Sequence, residues 1–532
     1  MERNTILEAL SDNIKIDQDK CIYCGTCVDT CILDNLRLKL APCRQACPLG
    51  LNCQGYVQLI LRGEDQEAYE VIQEKLPFAS ILGRICSAQC EKSCSRGKDG
   101  DQPVAIKQLK RYLADKFETS GQVLPEKQSP SGKTCAIIGS GPAGMLASYD
   151  LLLKGHAVVM YDSAKEPGGM LRWAIPEFRL SGDLVSREFK KLTDLGLLFK
   201  GGQTIGKDIE LAEITEKYDA VILATGCPQA INLGLPGEEA EGVRHALEFL
   251  GQVRSGQAPK VGEQVVVIGG GEVALDTAQT AVRLGAKKAT VVCLEDKSEM
   301  PAEPEAVALA RSEGILIDNC WGPSAITLKQ GKVSGVTLKK CISVFDAKGA
   351  FAPCFEDCQT KEIQADEVII AVGQKRDLSL FNGATPQFNP LTLQTGETKV
   401  FLAGDLTRGP STVVQAMASG REAAESVDRL FKDEHLSYGR AYQGPFETEY
   451  EIDKSRGSKA ERVQPGAHSC SGQGDFKEIE LTMSEEQARE EAGRCYSCGK
   501  PFGKFRTCWF CLPCEVECPK DALWVDIPYL LR

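Results

Sequence analysis

Two glycine-rich turns, each between an apolar strand and a helix, restrict the fold of this chain more than any other feature. The first lies in TCAIIGSGPAGMLASYDLLLKGHAVVMYD, with Gly139, Gly141 and Gly144 after one strand and Asp162 at the end of the next. The first glycine permits a tight turn, the second lets backbone approach a pyrophosphate, and the third lets helix and strand pack closely. The phosphates would lie at the positive helix N-terminus. This unit predicts a dinucleotide site, with Asp162 on a ribose hydroxyl.

The pattern recurs in EQVVVIGGGEVALDTAQTAVRLGAKKATVVCLED, as GxGxxA. This second unit is nested inside the continuation of the first, because VILATG (221–226) precedes it and VIIAVGQ (368–374) and VFLAGDLTRGPSTVVQAMASGREAA (400–424) follow it. Two nested units predict an α/β fold with two Rossmann-like domains, and they suggest FAD plus a nicotinamide nucleotide as the ligands. The predicted FAD residues from these stretches are Gly139, Gly141, Gly144, Asp162, Thr225, Gly226, Gly404, Asp405 and Gln415. The predicted NAD(P)H residues are Gly269, Gly271, Glu272, Ala274, Glu295 and Gly373.

Cysteines gather near the two ends of the chain. The run CIYCGTCVDTC (21–31) has the x2-x2-x3 ligand spacing of a [4Fe–4S] ferredoxin, and CWFCLPCEVECP (508–519) repeats it with the typical proline. Zinc is the alternative, above all for the pair Cys495 and Cys498. Disulfides are disfavoured in a large chain without an export signal. The predicted cluster ligands are Cys21, Cys24, Cys27, Cys31, Cys43, Cys47, Cys53, Cys86, Cys90, Cys94, Cys495, Cys498, Cys508, Cys511, Cys514 and Cys518.

The two terminal runs suggest one ferredoxin split between the ends of the chain. In two-cluster ferredoxins the fourth cysteine of each run ligates the other cluster. Cys518 would then complete the cluster of Cys21, Cys24 and Cys27, and Cys31 would complete the C-terminal one. The rival hypothesis is that each run forms its own site, for example against a partner subunit.

Composition narrows the function. The net charge of −12, with no basic run, argues against nucleic acid or an anionic membrane as partner. No apolar stretch has the length of a membrane helix or the form of a signal peptide, so a cytoplasmic protein is expected. The predicted segments are a ferredoxin-like segment (1–35), a helical iron–sulfur domain (36–128), an FAD domain in two pieces (132–255 and 370–432), a nicotinamide-nucleotide domain (256–369), a linker (433–475) and a C-terminal ferredoxin-like segment (476–532).

From about residue 41 to residue 424 the chain resembles the small (β) subunit family of bacterial glutamate synthase. The resemblance is carried by PCRQACP, GRICSAQCEKSC, IIGSGPAG, EPGGMLRWAIPEFRL, VIGGGEVALDTA, EMPAE and AGDLTRGPSTVVQA. The same module occurs in dihydropyrimidine dehydrogenase, in the ferredoxin:NADP transhydrogenase large subunit and in DsrL-type oxidoreductases. The resemblance implies FAD in the first nucleotide site, NAD(P)H in the second and clusters in the helical domain. It also implies that Gly169, Met170 and Arg179 lie near the FAD.

The chain departs from this family at three places. NADPH-using members carry an arginine pair where this chain has VVCLEDKSE, and an acid there favours NADH. A CxxC expected just before Cys43 is missing, so Cys53 or a cysteine of the 21–31 run is expected to compensate. The acid or amide that ligates a second cluster in relatives is replaced near Lys110 by lysine, which cannot ligate while protonated. Three or four [4Fe–4S] clusters are therefore predicted.

The function expected is that of an electron-transfer subunit. It would exchange hydride between NAD(P)H and FAD, and single electrons with a partner oxidoreductase or a ferredoxin inside a hetero-oligomeric complex. Hydride transfer needs no side-chain acid or base, so no catalytic residue is predicted. The alternatives are the glutamate synthase small subunit itself and an electron-bifurcating subunit. A disulfide reductase would need a reactive cysteine pair beside the flavin, and Cys354 and Cys358 lie in a segment that reads as a loop.

Overall fold

The computed structural model describes residues 13–32, 35–117, 124–442, 444–503, 508 and 510–527. In these ranges its N-terminal part consists of two short strands and eight helices around the cysteine motifs. These elements are β1 (Ile14–Ile16), α1 (Thr26–Asp29), β2 (Leu36–Lys39), α2 (Pro42–Gln45), α3 (Cys53–Arg62), α4 (Asp65–Gln73), α5 (Ala79–Ile85), α6 (Gln89–Lys92), α7 (Ser95–Lys98) and α8 (Ile106–Phe117). Helices α2 to α8 lie within the segment 36–128, which the sequence predicts to be helical.

The middle of the chain alternates strands and helices. The first stretch holds β3 (Thr134–Ile138), α9 (Pro142–Leu153), β4 (Ala157–Asp162), α10 (Met170–Trp173), α11 (Gly182–Asp194), β5 (Leu198–Gly201), α12 (Leu211–Lys217), β6 (Ala220–Leu223) and β7 (Gln229–Ala230). The second holds β8 (Val243–His245), α13 (Ala246–Arg254), β9 (Gln264–Ile268), α14 (Glu272–Arg283), β10 (Lys288–Val292), α15 (Pro304–Ser312), β11 (Leu316–Asp318), β12 (Trp321–Lys329), β13 (Lys332–Phe345), β14 (Phe351–Gln364), β15 (Glu367–Ile370) and β16 (Gln374–Lys375).

The chain then returns to the first domain and ends beside its own beginning. The remaining elements are a 3-10 turn (Ser379–Phe381), β17 (Val400–Leu402), α16 (Asp405–Arg408), α17 (Val413–Phe431), β18 (Phe446–Glu447), α18 (Glu485–Ala492), β19 (Lys500–Gly503), α19 (Pro513–Val516) and β20 (Leu523–Val525). Cys354 and Cys358 lie exposed on the long strand β14, so the segment read as a loop is a strand.

Two parallel five-stranded sheets form the nucleotide-binding half. The first has the order β17-β6-β3-β4-β5 and the second β11-β10-β9-β15-β8. The whole second sheet lies in the sequence between β6 and β17, which confirms the nesting. Strands β3 and β6 are almost fully buried, as expected for parallel strands with both faces covered. Because β8 already belongs to the second sheet, that sheet begins ahead of the predicted boundary at residue 256.

The two ends of the chain meet. Strand β1 pairs antiparallel with β20, with Ile14 opposite Val525 and Ile16 opposite Leu523. Strand β2 is the centre of a second small sheet, between β18 and β19. The expectation that the N- and C-terminal cysteine runs fold together is therefore confirmed.

The segment predicted as one C-terminal module is divided between two places. Helix α18, which a capping box of Ser484 and Gln487 opens, packs on α3 and α8 of the helical domain. Cys508 and the described residues from Phe510 to Val525 pack instead against α1 and β1. The helical domain and the first nucleotide domain share one apolar core. In this core the rings of Phe78 and Tyr149 pack edge to face, with their centroids 5.9 Å apart. Within the described residues, no helix has the length and apolarity needed to cross a bilayer.

Candidate nucleotide and cluster sites

The first glycine turn has the backbone geometry that its spacing predicts. Gly139 has a φ of +110°, and a Cβ there would collide with the carbonyl oxygen of Ala224. A Cβ on Gly144 would collide with the carbonyl of Gly139, so this position needs glycine for close packing. At Gly141, among the described residues, no atom lies within 4 Å of the place a Cβ would take. The turn therefore leaves space only in front of its second glycine, at the N-terminus of α9, where a pyrophosphate is expected.

Side chains around this turn fit a bound FAD. The Asp162 carboxylate accepts hydrogen bonds from the backbone N–H and the hydroxyl of Ser140, at 2.7 and 2.5 Å, and so lies against the turn. Thr225 Oγ1 is buried without a hydrogen-bond partner in the described part of the chain. Next to it, a Cβ on Gly226 would meet open space. A buried hydroxyl that lacks a partner costs free energy, and a ligand group can satisfy it.

The remaining predicted FAD residues differ in what their side chains do. Gly169, with a φ of +53°, lies directly against Gly141, and Met170 begins α10 beside it. Gly404 precedes Asp405, and burial raises the pKa of that carboxyl group.

Gln415 Oε1 accepts hydrogen bonds from the backbone N–H and the hydroxyl of Thr412, which closes the capping box of its own helix. The guanidinium of Arg179 pairs with Glu272 at 2.6 Å and Asp276 at 2.8 Å, so it joins the first nucleotide domain to α14 of the second.

The second glycine turn repeats the geometry of the first. Gly269 has a φ of +143° and packs against the carbonyl of Ala371, while a Cβ on Gly271 would meet no described atom within 4 Å. Ala274 is fully buried under the helix, in the packing position. The Glu295 carboxylate lies 2.7 Å from the place of a Cβ on Gly270, so it faces the turn from the end of the neighbouring strand. That is the position from which an acid reaches a ribose hydroxyl.

The EMPAE loop and Gly373 complete this site. The backbone N–H of Glu303 donates to Glu272 Oε1 at 3.0 Å, and the N–H of Ala302 donates to the carbonyl of Gly270 at 3.2 Å. The loop therefore folds over the glycine turn. Gly373, with a φ of +118°, lies at the end of β15, where the chain returns. Glu272 contacts both this loop and Arg179, so it connects the two nucleotide domains.

The terminal cysteines form two mixed sets, each drawn from both ends of the chain. One cavity is lined by Cys21, Cys24, Cys27 and Cys518. Burial raises the pKa of Cys21 to about 11, and Cys24 and Cys518 add to this rise. Burial likewise raises the pKa of Cys514 to about 11, with the added charges of Cys31, Cys508 and Cys511. The structure therefore groups these thiols in the way that an exchange of the fourth cysteine between the two runs predicts.

A third set combines the helical domain with the C-terminal CxxC. Cys43, Cys94, Cys495 and Cys498 line one cavity together with Cys53. Burial raises the pKa of Cys495 to about 12, and the charges of Cys498 and Cys94 contribute. The CxxC missing before Cys43 is thus supplied from more than 400 residues away, and not by the 21–31 run. A surplus CxxC ahead of the C-terminal run was the signal in the sequence for this.

The last set surrounds Lys110. Cys47, Cys53, Cys86 and Cys90 are the thiols that act on its charge, and Lys110 is only 4% exposed. Burial lowers the pKa of Lys110, but these thiols outweigh it and the net shift is upward. Cys53 is fully buried and lies between Cys43 and Cys90. It therefore touches both sets of the helical domain.

Buried thiols gathered in this way resist ionisation unless a cation compensates their charge. No group of three His, Cys, Asp or Glu side chains in the described ranges converges as a single metal ion requires. The thiols of two sets, those of Cys21 and of Cys495, instead line cavities, and four thiolates around a cube are what a [4Fe–4S] cluster needs.

Two nested nucleotide sites beside gathered cysteines define a two-dinucleotide-binding flavoprotein connected to iron–sulfur modules. The sequence profile of the pyridine nucleotide-disulphide oxidoreductases matches residues 133–420, more than half of the chain, and the chain belongs to that family. Residues 36–122 match domain II of dihydropyrimidine dehydrogenase, with its 4Fe-4S cluster, and residues 14–33 match a 4Fe-4S binding domain.

Individual relatives agree with this assignment. The chain is 31% identical to the NADP(+)-dependent formate dehydrogenase subunit beta of Moorella thermoacetica, over 86% of this chain and 70% of that one. It is 32% identical to the glutamate synthase [NADPH] small chain of Escherichia coli K12, over 78% of this chain and 90% of that one. Among solved structures, the Mycobacterium tuberculosis oxidoreductase FprA shares the fold, with a TM-score of 0.50 and 20% identity over 57% of this chain and 85% of its own.

The predicted family resemblance, fold class and cofactor classes are thereby confirmed. The chain is an oxidoreductase with an FAD site, a nicotinamide-nucleotide site and [4Fe–4S] domains. The names of relatives describe them as a subunit beta or as a small chain of a larger enzyme.

Proposed function

We propose that this chain oxidises NADH at its second nucleotide site and delivers the electrons, one at a time, through four [4Fe–4S] clusters to a partner oxidoreductase or a ferredoxin. The observation that supports this most strongly is the gathering of sixteen cysteines into four sets of four, next to two nucleotide sites. Each cysteine left unassigned by local spacing has a place in one of these sets.

The ligand assignment follows the sets. The proposed clusters are held by Cys21, Cys24, Cys27 and Cys518, by Cys31, Cys508, Cys511 and Cys514, by Cys43, Cys94, Cys495 and Cys498, and by Cys47, Cys53, Cys86 and Cys90. Lys110 then stands beside the last cluster as a cation and not as a ligand. Because the two ends of the chain share the terminal sets, we divide the chain into a split ferredoxin, a helical domain completed by α18, and two nested nucleotide domains.

The protein's own part in the hydride step is binding and orientation. FAD, when bound, takes up a hydride as an electron pair and gives the electrons up singly. Gly139, Gly141 and the N-terminus of α9 would hold its pyrophosphate, and Asp162 its ribose. Gly271 and the N-terminus of α14 would hold the nicotinamide nucleotide. The pairs of Arg179 with Glu272 and Asp276 fix the two domains against each other, so that the two rings can meet at one face.

A preference for NADH over NADPH is supported by Glu295. Its carboxylate faces the second glycine turn and can accept a hydrogen bond from a free 2′-hydroxyl, whereas it repels a 2′-phosphate. No cysteine in the described part of the chain is in a disulfide, which suits a reducing compartment, and a cytoplasmic location belongs to the proposal.

Anaerobic purification followed by titration tests the proposal. NADH is expected to bleach the flavin at a lower concentration than NADPH, and iron analysis is expected to give about 16 iron atoms per chain. Failure of both nucleotides to bleach the flavin would refute the electron-transfer function. An iron content near eight would leave that function standing and refute the assignment of four clusters.

A further inference from the structure

Two CxxC turns from opposite ends of the chain have the same backbone conformation. In Cys21–Cys24 the third residue is Tyr23, with a φ of +56°, and in Cys495–Cys498 it is Ser497, with a φ of +54°. Such left-handed values are uncommon for residues other than glycine. In each turn the N–H of this residue donates to the sulfur of the first cysteine, at 3.4 Å from Tyr23 to Cys21 and at 3.4 Å from Ser497 to Cys495. The matching strain thus aims a backbone donor at a proposed cluster ligand.

The side chains of the same two residues contact each other. Ser497 Oγ donates to the Tyr23 hydroxyl at 2.7 Å, and that hydroxyl donates to the carbonyl of Gln18 at 3.3 Å. Gln54 Nε2 donates to Ser497 Oγ at 3.0 Å, which fixes the direction of the serine hydroxyl. Tyr23 is 3% exposed. An unbroken path of covalent and hydrogen bonds therefore runs from Cys21 Sγ through Tyr23 and Ser497 to Cys495 Sγ.

Other contacts, which do not involve the side chains of Tyr23 and Ser497, hold the segment 20–24 against the helical domain. Arg62 donates to the carbonyls of Lys20 and Cys21 at 3.1 and 3.0 Å. Asn52 donates to the carbonyl of Ile22 at 2.9 Å, and Arg44 to that of Tyr23 at 3.2 Å. Because these bonds involve only backbone carbonyls of the 20–24 segment, removal of the Tyr23 hydroxyl leaves them in place.

We propose that the Tyr23–Ser497 contact is the electron-transfer junction between the helical domain and the split ferredoxin, an inference that rests on the proposed function. One electron leaves the cluster of Cys495 and enters the cluster of Cys21, while Tyr23 and Ser497 keep their protons and oxidation state. The order of the relay follows. Electrons pass from the helical domain to the Cys21 set and then to the Cys31 set, where Cys511 is exposed to solvent and faces an acceptor.

Rapid-mixing reduction followed by EPR on frozen samples tests the junction. In Tyr23→Phe and in Ser497→Ala, iron content, FAD content and the rate of flavin reduction by NADH are expected to match the wild type. Reduction of the two terminal clusters is expected to slow several-fold. Tyr218→Phe is the control, because it removes a tyrosine hydroxyl that shares a hydrogen bond with the Tyr161 hydroxyl at 2.8 Å in the first nucleotide domain, away from the junction.

Each outcome decides between two readings. Terminal clusters that fill at the wild-type rate in both variants would overturn the junction. If Tyr23→Phe loses iron at the Cys21 site, Ser497→Ala decides, since it leaves Tyr23 in place. If neither nucleotide reduces the flavin, the proposed function fails, while photochemical reduction of the flavin still measures transfer to the terminal clusters and so tests the junction separately.

Discussion

Replacing Lys110 by methionine is expected to lower the reduction potential of the cluster proposed at Cys47, Cys53, Cys86 and Cys90. Reduction adds a negative charge to the cluster, and a buried ammonium beside it stabilises that charge. Lys110 is suited to this role because it is only 4% exposed and the four thiols are the groups that raise its pKa against the effect of burial. Methionine keeps the length and apolar volume of the side chain and removes the charge.

The size of the shift follows from Coulomb's law. With an effective dielectric constant of about 20 and a separation of about 6 Å, two unit charges interact by about 3 kcal/mol. For a one-electron couple, about 1.4 kcal/mol corresponds to about 59 mV, so the full interaction amounts to roughly 120 mV. The added electron is shared over the whole cube, and nearby dipoles relax when the charge is removed. A decrease of roughly 50–100 mV is therefore expected.

Potentiometric titration monitored by EPR measures this shift. Lys107→Met is the matched control, because Lys107 lies on the same helix but pairs with Glu480 at 3.3 Å. In Lys107→Met the reduction potential of this cluster is expected to equal that of the wild type within experimental error. An unchanged potential in Lys110→Met would refute the electrostatic reasoning. A loss of about four iron atoms would show instead that Lys110 is itself a ligand and that Cys53 is not.

Three further predictions concern single residues. Cys498→Ser is expected to lose about four iron atoms and leave the terminal clusters visible by EPR, because its site takes two ligands from one CxxC; loss of a terminal signal would contradict this. Glu295→Ala is expected to lower the KM for NADPH relative to NADH, measured by flavin bleaching, because the repulsion of a 2′-phosphate is gone. Asp276→Asn tests a pH dependence, since burial raises the pKa of Asp276 to about 7 despite Arg179. The folded chain then binds a proton that the unfolded chain has lost, so the free energy of unfolding falls by about 1.4 kcal/mol per unit as pH rises from about 4 to 7 and is level above it. Unfolding measured between pH 5.5 and 7.5 should show that slope reduced in Asp276→Asn.

The parts of the fold that local spacing controls were predictable. The glycine spacing between a strand and a helix predicts the geometry of the turn, because Gly139 and Gly269 adopt positive φ values and Gly144 has no room for a Cβ. The meeting of the chain ends was also predictable, since each terminal run has the form in which the fourth ligand belongs to the other cluster.

Contacts between distant segments were not predictable in the same way. Cys495 and Cys498 were assigned to the C-terminal module by their place in the sequence, whereas helix α18 carries them to Cys43 and Cys94. The spacing of cysteines in the sequence predicts which thiols a short loop brings together, but it does not predict where that loop packs in the fold. Arg179 was likewise expected near the FAD by resemblance, and its pairing with α14 depends on how two domains pack.

Truncation separates shared clusters from independent modules. A chain that ends at residue 503 keeps β19, which pairs with β2, and keeps Cys495 and Cys498. It loses Cys508, Cys511, Cys514 and Cys518, which take part in both terminal sets. The expected loss is therefore about eight iron atoms, because the Cys21 set keeps three thiols and the other terminal set only Cys31. A chain that ends at residue 475 is expected to lose about twelve, since the third set is opened as well. Flavin reduction by NADH should persist in the chain that ends at residue 503. A loss of only about four iron atoms on ending at residue 503 would show that each cysteine run holds its own cluster, and the split ferredoxin would have to be abandoned.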